Sequence, residues 1–266
     1  MKKLDTERVV EAAGNFQFEG KYLDAPPYGN GHINDTFAAR FAQRDGGIRR
    51  YILQRINTDV FQKPVELMEN ISGVTAHIRK AIALMGGDPL RETLNIVPAS
   101  DGRSFYHDGE GDYWRAYLFI EGTISYDKAE SEQDLYHSAR AFGRFQQFLA
   151  DFPAETLHET IPDFHNTADR MSKFKKALEK DLYGRAKAVR REIGFVLRHE
   201  EDTHRLVDLQ KAGKLPLRVT HNDTKLNNVL IDKNTGEGIC VIDLDTVMPG
   251  LSLYDYGDSI RFGATY

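Results

Sequence analysis

Apolar positions along the chain change their spacing several times, and these changes divide it into segments with different expected structures. From Ile33 to Phe41 and from Tyr51 to Ile56, β-branched and aromatic residues dominate between Gly and polar turn signals, which predicts two strands. Between Pro64 and Met85 the spacing turns helical: Val65, Met68, Ile71, Val74, Ile78, Ile82 and Met85 recur every three or four positions. Pro64 suits a first helical turn, where its missing N–H costs nothing, and Gly86-Gly87 ends the pattern. A turn-rich stretch from Ser100 to Gly111 separates two further strand candidates, the second being the aromatic run Tyr113 to Ile120.

After Glu121-Gly122-Thr123 the composition shifts. An amphipathic helix is expected from Glu132 to Phe152, with Leu135, Ala139, Phe142, Phe145 and Leu149 on one stripe. Helical blocks follow at about Thr167 to Leu182 and Ala186 to Leu209, then a short strand at Leu217 to Thr220. Val229 to Ile231 and Ile239 to Ile242 read as a hairpin across the turn Asp232-Lys233-Asn234-Thr235-Gly236. The expected fold class is therefore α+β. An antiparallel sheet plus one helix occupies residues 1–121, a hinge lies near Glu121-Gly122, and a mainly helical portion with a small hairpin occupies 122–266.

Of the 266 residues, 41% are hydrophobic, enough for a sizeable core. The formal charge of −5 gives no basic excess for a nucleic-acid backbone, so nucleic acid is not an expected partner. A nucleotide is still compatible with that charge, because bound Mg²⁺ supplies positive charge locally. The single cysteine, Cys240, sits inside the apolar run Gly238 to Ile242; it reads as a buried hydrophobe and fits a reducing compartment. No apolar run approaches the ~18–20 residues of a membrane span, and the charged N-terminus has no apolar signal core. The expectation is a soluble, cytoplasmic protein without a membrane partner. The sequence carries no signal for its oligomeric state.

The chemistry-bearing segment is His221-Asn222-Asp223-Thr224-Lys225-Leu226-Asn227-Asn228, followed by Val241-Ile242-Asp243-Leu244-Asp245. An Asp is followed by an Asn five residues later and by another Asp fifteen beyond, with the hairpin between them. Phosphoryl transfer needs a carboxylate for the acceptor hydroxyl and hard oxygen ligands for Mg²⁺. The arrangement assigns Asp223 as base and Asn228 and Asp243 as metal ligands. His221 reads as a loop anchor rather than an acid or base. Lys225 reads as a charge for the γ-phosphate, with a solvated surface lysine as the alternative. Asp245 is a second metal or substrate contact, or only a loop brace. Near the N-terminus, Gly29, Asn30 and Gly31 form a weak Gly-x-Gly signal; ahead of a strand it suits a phosphate or substrate loop, with His32, Asn34 and Asp35 at its tip.

The stretches Gly29 to Phe37, Tyr51 to Asn57, Thr220 to Ile231 and Val241 to Gly263 resemble the aminoglycoside phosphotransferase/choline kinase superfamily, and within it the N-acetylhexosamine 1-kinases. The resemblance implies a bilobal protein-kinase-like fold, ATP and Mg²⁺ as cofactors, and a small-molecule sugar acceptor. It also implies an adenine site near the Ile120-Glu121-Gly122 hinge, Mg²⁺ on Asn228 and Asp243, and an acceptor near Asp223 and His32. The helix from Pro64 would turn Glu66 or Glu69 inwards. Two departures stand out. Gln54 occupies the third-strand position where such proteins carry a phosphate-gripping lysine, while Arg55 points to the other face. Members also continue well past Asp255-Tyr256-Gly257-Asp258, which leaves an incomplete acceptor wall as an expectation. The alternatives are another kinase of the superfamily, acting on choline, an aminoglycoside, homoserine or another sugar, and a non-catalytic nucleotide-binding remnant.

Overall fold

Residues 6–29, 31 and 33–263 are described by the computed structural model. Helix α1 (Thr6–Gly14) precedes strands β1 (Lys21–Asp24), β2 (Asp35–Ala42) and β3 (Ile48–Ile56). Helix α2 (Pro64–Leu84) then leads to β4 (Tyr106–His107) and β5 (Tyr113–Leu118). These five strands form one antiparallel sheet in the order β1-β2-β3-β5-β4. Register matters here, because alternate residues point to opposite faces. Phe37, Leu53, Trp114 and Ala116 pack with Val9, Ala12 and Ala13 of α1. Thr36, Gln54 and Arg115 lie side by side as register partners across β2, β3 and β5.

The rest of the chain is mainly helical. It comprises β6 (Thr123–Ile124), α3 (Glu132–Phe148), α4 (Thr167–Lys180), α5 (Arg190–Arg198), α6 (Glu200–Lys211) and β7 (Arg218–Thr220). The hairpin β8 (Val229–Asp232) and β9 (Gly238–Val241), β10 (Met248–Gly250) and α7 (Ser252–Gly263) complete it. Strand β6 adds to the hairpin in the order β6-β8-β9, and β10 pairs with β7. The α+β fold expected from the sequence is present, and Cys240 is buried in it. Among the described residues, no helix is long and apolar enough to cross a membrane.

Helix α2 fills the centre. Leu67, Met68, Ile71, Val74, Ile78 and Ile82 bury their side chains in one cluster with Phe142 and Phe145 of α3 and Val229, Ile231 and Val241 of the hairpin. Burying a side chain of this size contributes about 1.5–3 kcal/mol, so the cluster firmly joins α2 to the hairpin. Three details differ from the sequence reading. Helix α3 ends at Phe148, and its buried stripe runs through Ser138, Ala141, Phe142, Phe145 and Phe148, leaving Ala139 exposed. The expected helix from Ala186 to Leu209 is broken at His199, where the acidic run Glu200-Glu201-Asp202 favours a new helix N-terminus. Glu66 and Glu69 do not turn inwards: Glu66 pairs with Lys63 at 2.9 Å and Glu69 with His158 at 2.7 Å, both near the surface.

The inward polar residue of α2 is Asn70 instead. Its Nδ2 donates to the carbonyls of His158 (2.8 Å) and Val247 (3.0 Å), and its Oδ1 accepts from the His158 N–H at 2.8 Å. One side chain thus ties α2 to the segment after the hairpin. Asn70→Ala leaves those backbone groups without partners in a dry setting, and we expect a loss of about 2–4 kcal/mol. Urea unfolding followed by circular dichroism measures it; a loss under about 1 kcal/mol would show that the carbonyls find other donors.

Candidate active site

The loop after β7 is held from below by α7. Asp255 accepts from the backbone N–H groups of His221 (2.9 Å) and Asn222 (2.8 Å), and Gln146 donates to the same carboxylate. Asp258 accepts from the Thr224 N–H at 2.8 Å, and Thr224 Oγ1 donates to the Asp255 carbonyl at 2.9 Å. Burial pushes the Asp255 carboxyl above the usual carboxylate range, while its N–H donors pull the other way. This clamp lets Asn222 hold a left-handed φ of 67°, a conformation side chains seldom adopt unaided.

His221 lies against the rings of Phe142 and Phe145. Its Nδ1 accepts from the Asp223 N–H at 3.3 Å, so the ring proton sits on Nε2, which donates to the Ile242 carbonyl at 3.0 Å. The histidine is a brace between the loop and the hairpin exit. Lys225 Nζ lies 2.8 Å from Asp223 Oδ2. Asn228 Nδ2 donates to the Asp223 carbonyl at 2.9 Å and to Oδ2 at 3.1 Å. Asp223, Lys225 and Asn228 are therefore in direct mutual contact.

Asp243 joins them through the backbone. The Ile242 N–H donates to the Asn228 carbonyl at 2.9 Å, and Asp243 itself adopts φ 59° and ψ 61°. Its side chain reaches solvent, yet its carboxylate accepts no hydrogen bond from any described residue. Crowding by the surrounding protein, then by the charges of Asp245 and Asp223, pushes its pKa up to about 6, with Arg115 and His221 opposing. The Asp243 carboxylate and the Asn228 amide oxygen make a hard, oxygen-only donor set, which fits a magnesium-sized cation that keeps several waters. No group of three or more acidic, histidine or cysteine ligands occurs among the described residues.

On the sheet side, Asp245 forms a buried ion pair with Arg115 Nη1, and Asn34 Nδ2 donates to its other oxygen at 2.7 Å. Arg115 Nε donates to Gln54 Oε1 at 3.0 Å, and Gln54 Nε2 donates to Thr36 Oγ1 at 2.9 Å. Asn34 Oδ1 also accepts from the Asn57 N–H at 2.9 Å. The half-buried Asn34 and the buried Asp245 thus belong to one hydrogen-bond network. Arg55 points to the opposite face, towards Asp35 and Asp112. Gly29 takes a left-handed φ of 78°, and neither it nor Gly31 has protein atoms where a Cβ would be. Asn30 and His32 lie outside the described residues. The Glu121 carboxylate pairs with Arg50, and its carbonyl accepts from Arg91 Nη1 at 2.8 Å. Tyr28 meets Phe119 edge-on at 5.4 Å, which brings the start of the glycine loop to this connection.

Beside Asn222 a recess of about 120 Å³ opens between the segment 159–166, α6 and the start of α7. Phe164, His165 and Tyr254 give it aromatic faces, and Glu159, Asp163 and Gln210 give it polar ones. Sequence reasoning missed this recess, Arg115 and the Asp255–Asp258 clamp. A charged residue inside the aromatic run of β5 was the available signal for Arg115.

The sequence profile of the phosphotransferase enzyme family matches residues 24–265. A microcompartment-associated aminopropanol kinase superposes with a TM-score of 0.61 at 17% identity, over 97% of this chain and 75% of that one. Aminoglycoside 2'-phosphotransferase-IIIa, solved with GDP, gives 0.61 at 14% identity, over 97% and 79%. An amicoumacin kinase solved with AMP-PNP, Ca²⁺ and Ami gives 0.57 at 13%, over 97% and 69%. At these identities the likeness is one of fold.

Two measurements follow. Asp255→Ala strands two buried N–H donors, and we expect it to cost about 2–4 kcal/mol in urea unfolding. Carbon-13 NMR of metal-free protein is expected to show Asp243 titrating with a midpoint of about 6. The raised pKa means that the proton is held above the ordinary range and competes with metal as the pH falls. Added Mg²⁺ should therefore lower the midpoint, and Mg²⁺ affinity should weaken as the pH drops below about 6. An ordinary midpoint near 4 would contradict the crowding.

Proposed function

We propose, from the premise that this chain belongs to the phosphotransferase enzyme family, that it transfers the γ-phosphoryl group of ATP to a hydroxyl of a small molecule, with an N-acetylhexosamine at its anomeric hydroxyl as the favoured acceptor. The observation that carries this reading is the contact set of Asp223, Lys225 and Asn228 beside the unpaired, acidic Asp243. The neighbours solved with GDP and with AMP-PNP support a nucleotide as the donor. We place it between residues 1–121 and 122–266, with its base near Glu121 and its phosphates near Gly29, Gly31 and Gln54.

In this reading Asn228 Oδ1 and the Asp243 carboxylate hold Mg²⁺, which when bound neutralises the phosphate oxygens. Asp223 accepts a hydrogen bond from the acceptor hydroxyl and takes its proton as the new P–O bond forms. Lys225 brings a mobile positive charge to the transferring group. The backbone amides around Gly29 and Gly31 approach phosphate oxygens without a side chain in the way. The acceptor lies towards the recess beside Asn222, where aromatic faces and polar groups suit a hydroxyl-rich ring. The carboxylates of Glu159 and Asp163 favour a second reading, an acceptor that carries an amine.

The expected result is ATP- and Mg²⁺-dependent release of ADP, greatest with N-acetylhexosamines in a panel that also contains other sugars, choline, homoserine and aminoglycosides. Asp223→Asn should lower kcat about 10²–10⁴-fold without a change in thermal midpoint. Undiminished turnover in that variant would remove Asp223 as the base, and a preference for amines would move the acceptor to the second reading.

A further inference from the structure

Gln54 brings no charge to the third strand, yet a fully ionised group lies directly beside it. Arg115 is its register partner on β5, and its side chain is 2% exposed. Two structural features give that guanidinium a definite task. First, Arg115 Nε can only donate, so the bond to Gln54 Oε1 fixes which way the amide faces. The Gln54 NH₂ group is then forced towards β2, where one of its hydrogens goes to Thr36 Oγ1. Thr36 lies just after the glycine loop. The second amide hydrogen has no partner among the described residues. Second, Asp245 fixes Arg115 in turn, and Asn34, at the root of the same loop, holds Asp245. A row of five polar side chains thus runs from the loop through the sheet to the turn that carries Asp243.

A buried guanidinium is costly to keep, and an apolar pair of similar size would fill the same space at least as well. Its position has a consequence for an anion beside it: Asp245 offsets much of the charge, but the pair turns its positive end towards Gln54, and in a low-dielectric surrounding that end acts over several ångströms without contact. We propose that Arg115 is the positioning residue that stands in for a third-strand cation, orienting the Gln54 amide towards the nucleotide's phosphates and supplying the positive field behind it. This rests on the nucleotide reading above. It differs from a purely structural role in one respect: it concerns the phosphates and leaves the nucleoside alone.

Binding of ADP and of adenosine, each without Mg²⁺, separates the possibilities by calorimetry. Wild-type protein should bind both, with ADP clearly tighter. Arg115→Gln should weaken ADP by at least about tenfold and adenosine by less than about twofold. Gln54→Lys added to Arg115→Gln returns a cation to the same row and should restore ADP binding to within about threefold of wild type. Gln54→Leu leaves the Arg115–Asp245 pair in place, so it supplies the test if Arg115→Gln unfolds; it too should weaken ADP and spare adenosine. Equal weakening of both ligands in either variant, or unchanged ADP binding, overturns the proposal while leaving the nucleotide site standing. Failure of the wild type to bind either ligand overturns the nucleotide reading, and this inference with it.

Discussion

Arg115 and Asp245 lie almost wholly out of water, and removing a guanidinium and a carboxylate from solvent is costly unless both are fully engaged. Here they are. Arg115 uses Nε on Gln54 and Nη1 on Asp245, and the other Asp245 oxygen accepts a hydrogen bond from Asn34 Nδ2. A pair satisfied in this way need not outdo a hydrophobic pair in stability. What it does is select one arrangement. Sliding β5 by one residue would turn Arg115 onto the face packed against α1, next to Leu53 and Phe37 and away from Gln54 and Asp245. The register of the sheet and the position of the turn after the hairpin are therefore set together.

The loop bearing Asp223 is fixed from the other side. Asp255 and Asp258 of α7 accept from the backbone N–H groups of His221, Asn222 and Thr224, and His221 bolts the loop to the hairpin exit. Two residues of the site, Asn222 and Asp243, keep left-handed backbone angles that cost free energy. Each lies where these anchors meet, Asn222 over Asp255 and Asp243 between Ile242 and the Asp245 turn. Rigid support on both flanks also explains how carboxylates stay crowded. Asp243 cannot move away from Asp245 or Asp223, so part of the electrostatic cost emerges as its raised pKa.

The strong period of α2 and the apolar runs of the hairpin were legible in the sequence, and the two-residue strands were not. Helix α2 begins at Pro64 and ends at Leu84, with Met85 as its cap, because a strong three-to-four spacing runs between a proline start and a glycine stop. Strands β4 and β6 have two residues each, too few to carry any period, and exist because β5 and β8 offer them partners. Within the site, the Asp223, Asn228 and Asp243 spacing is local and could be read directly. Arg115 is 130 residues from Asp245 in the chain, and no pattern within β5 names a partner at that distance. The inward glutamate expected of α2 came from resemblance; the helix turns Asn70 inwards because Val247 and His158 present carbonyls there.

Under the proposed roles, the two cations of the site divide one task by their mobility. Arg115 is pinned at two nitrogens and has no room to swing, so its charge is a constant of the fold. Lys225 is about a third exposed, on a flexible stem, and its ammonium rests on Asp223. A lysine drawn from there towards a more negative group would uncover the Asp223 carboxylate at the moment an acceptor hydroxyl needs it. A lysine on the third strand would compete for that anionic group from the opposite side. Gln54 removes the competitor while keeping a donor in its place, and the buried arginine behind it maintains the positive potential. A glutamine at this third-strand position is then coherent with the rest of the site: among the described residues there, it leaves Lys225 free to follow the phosphoryl group.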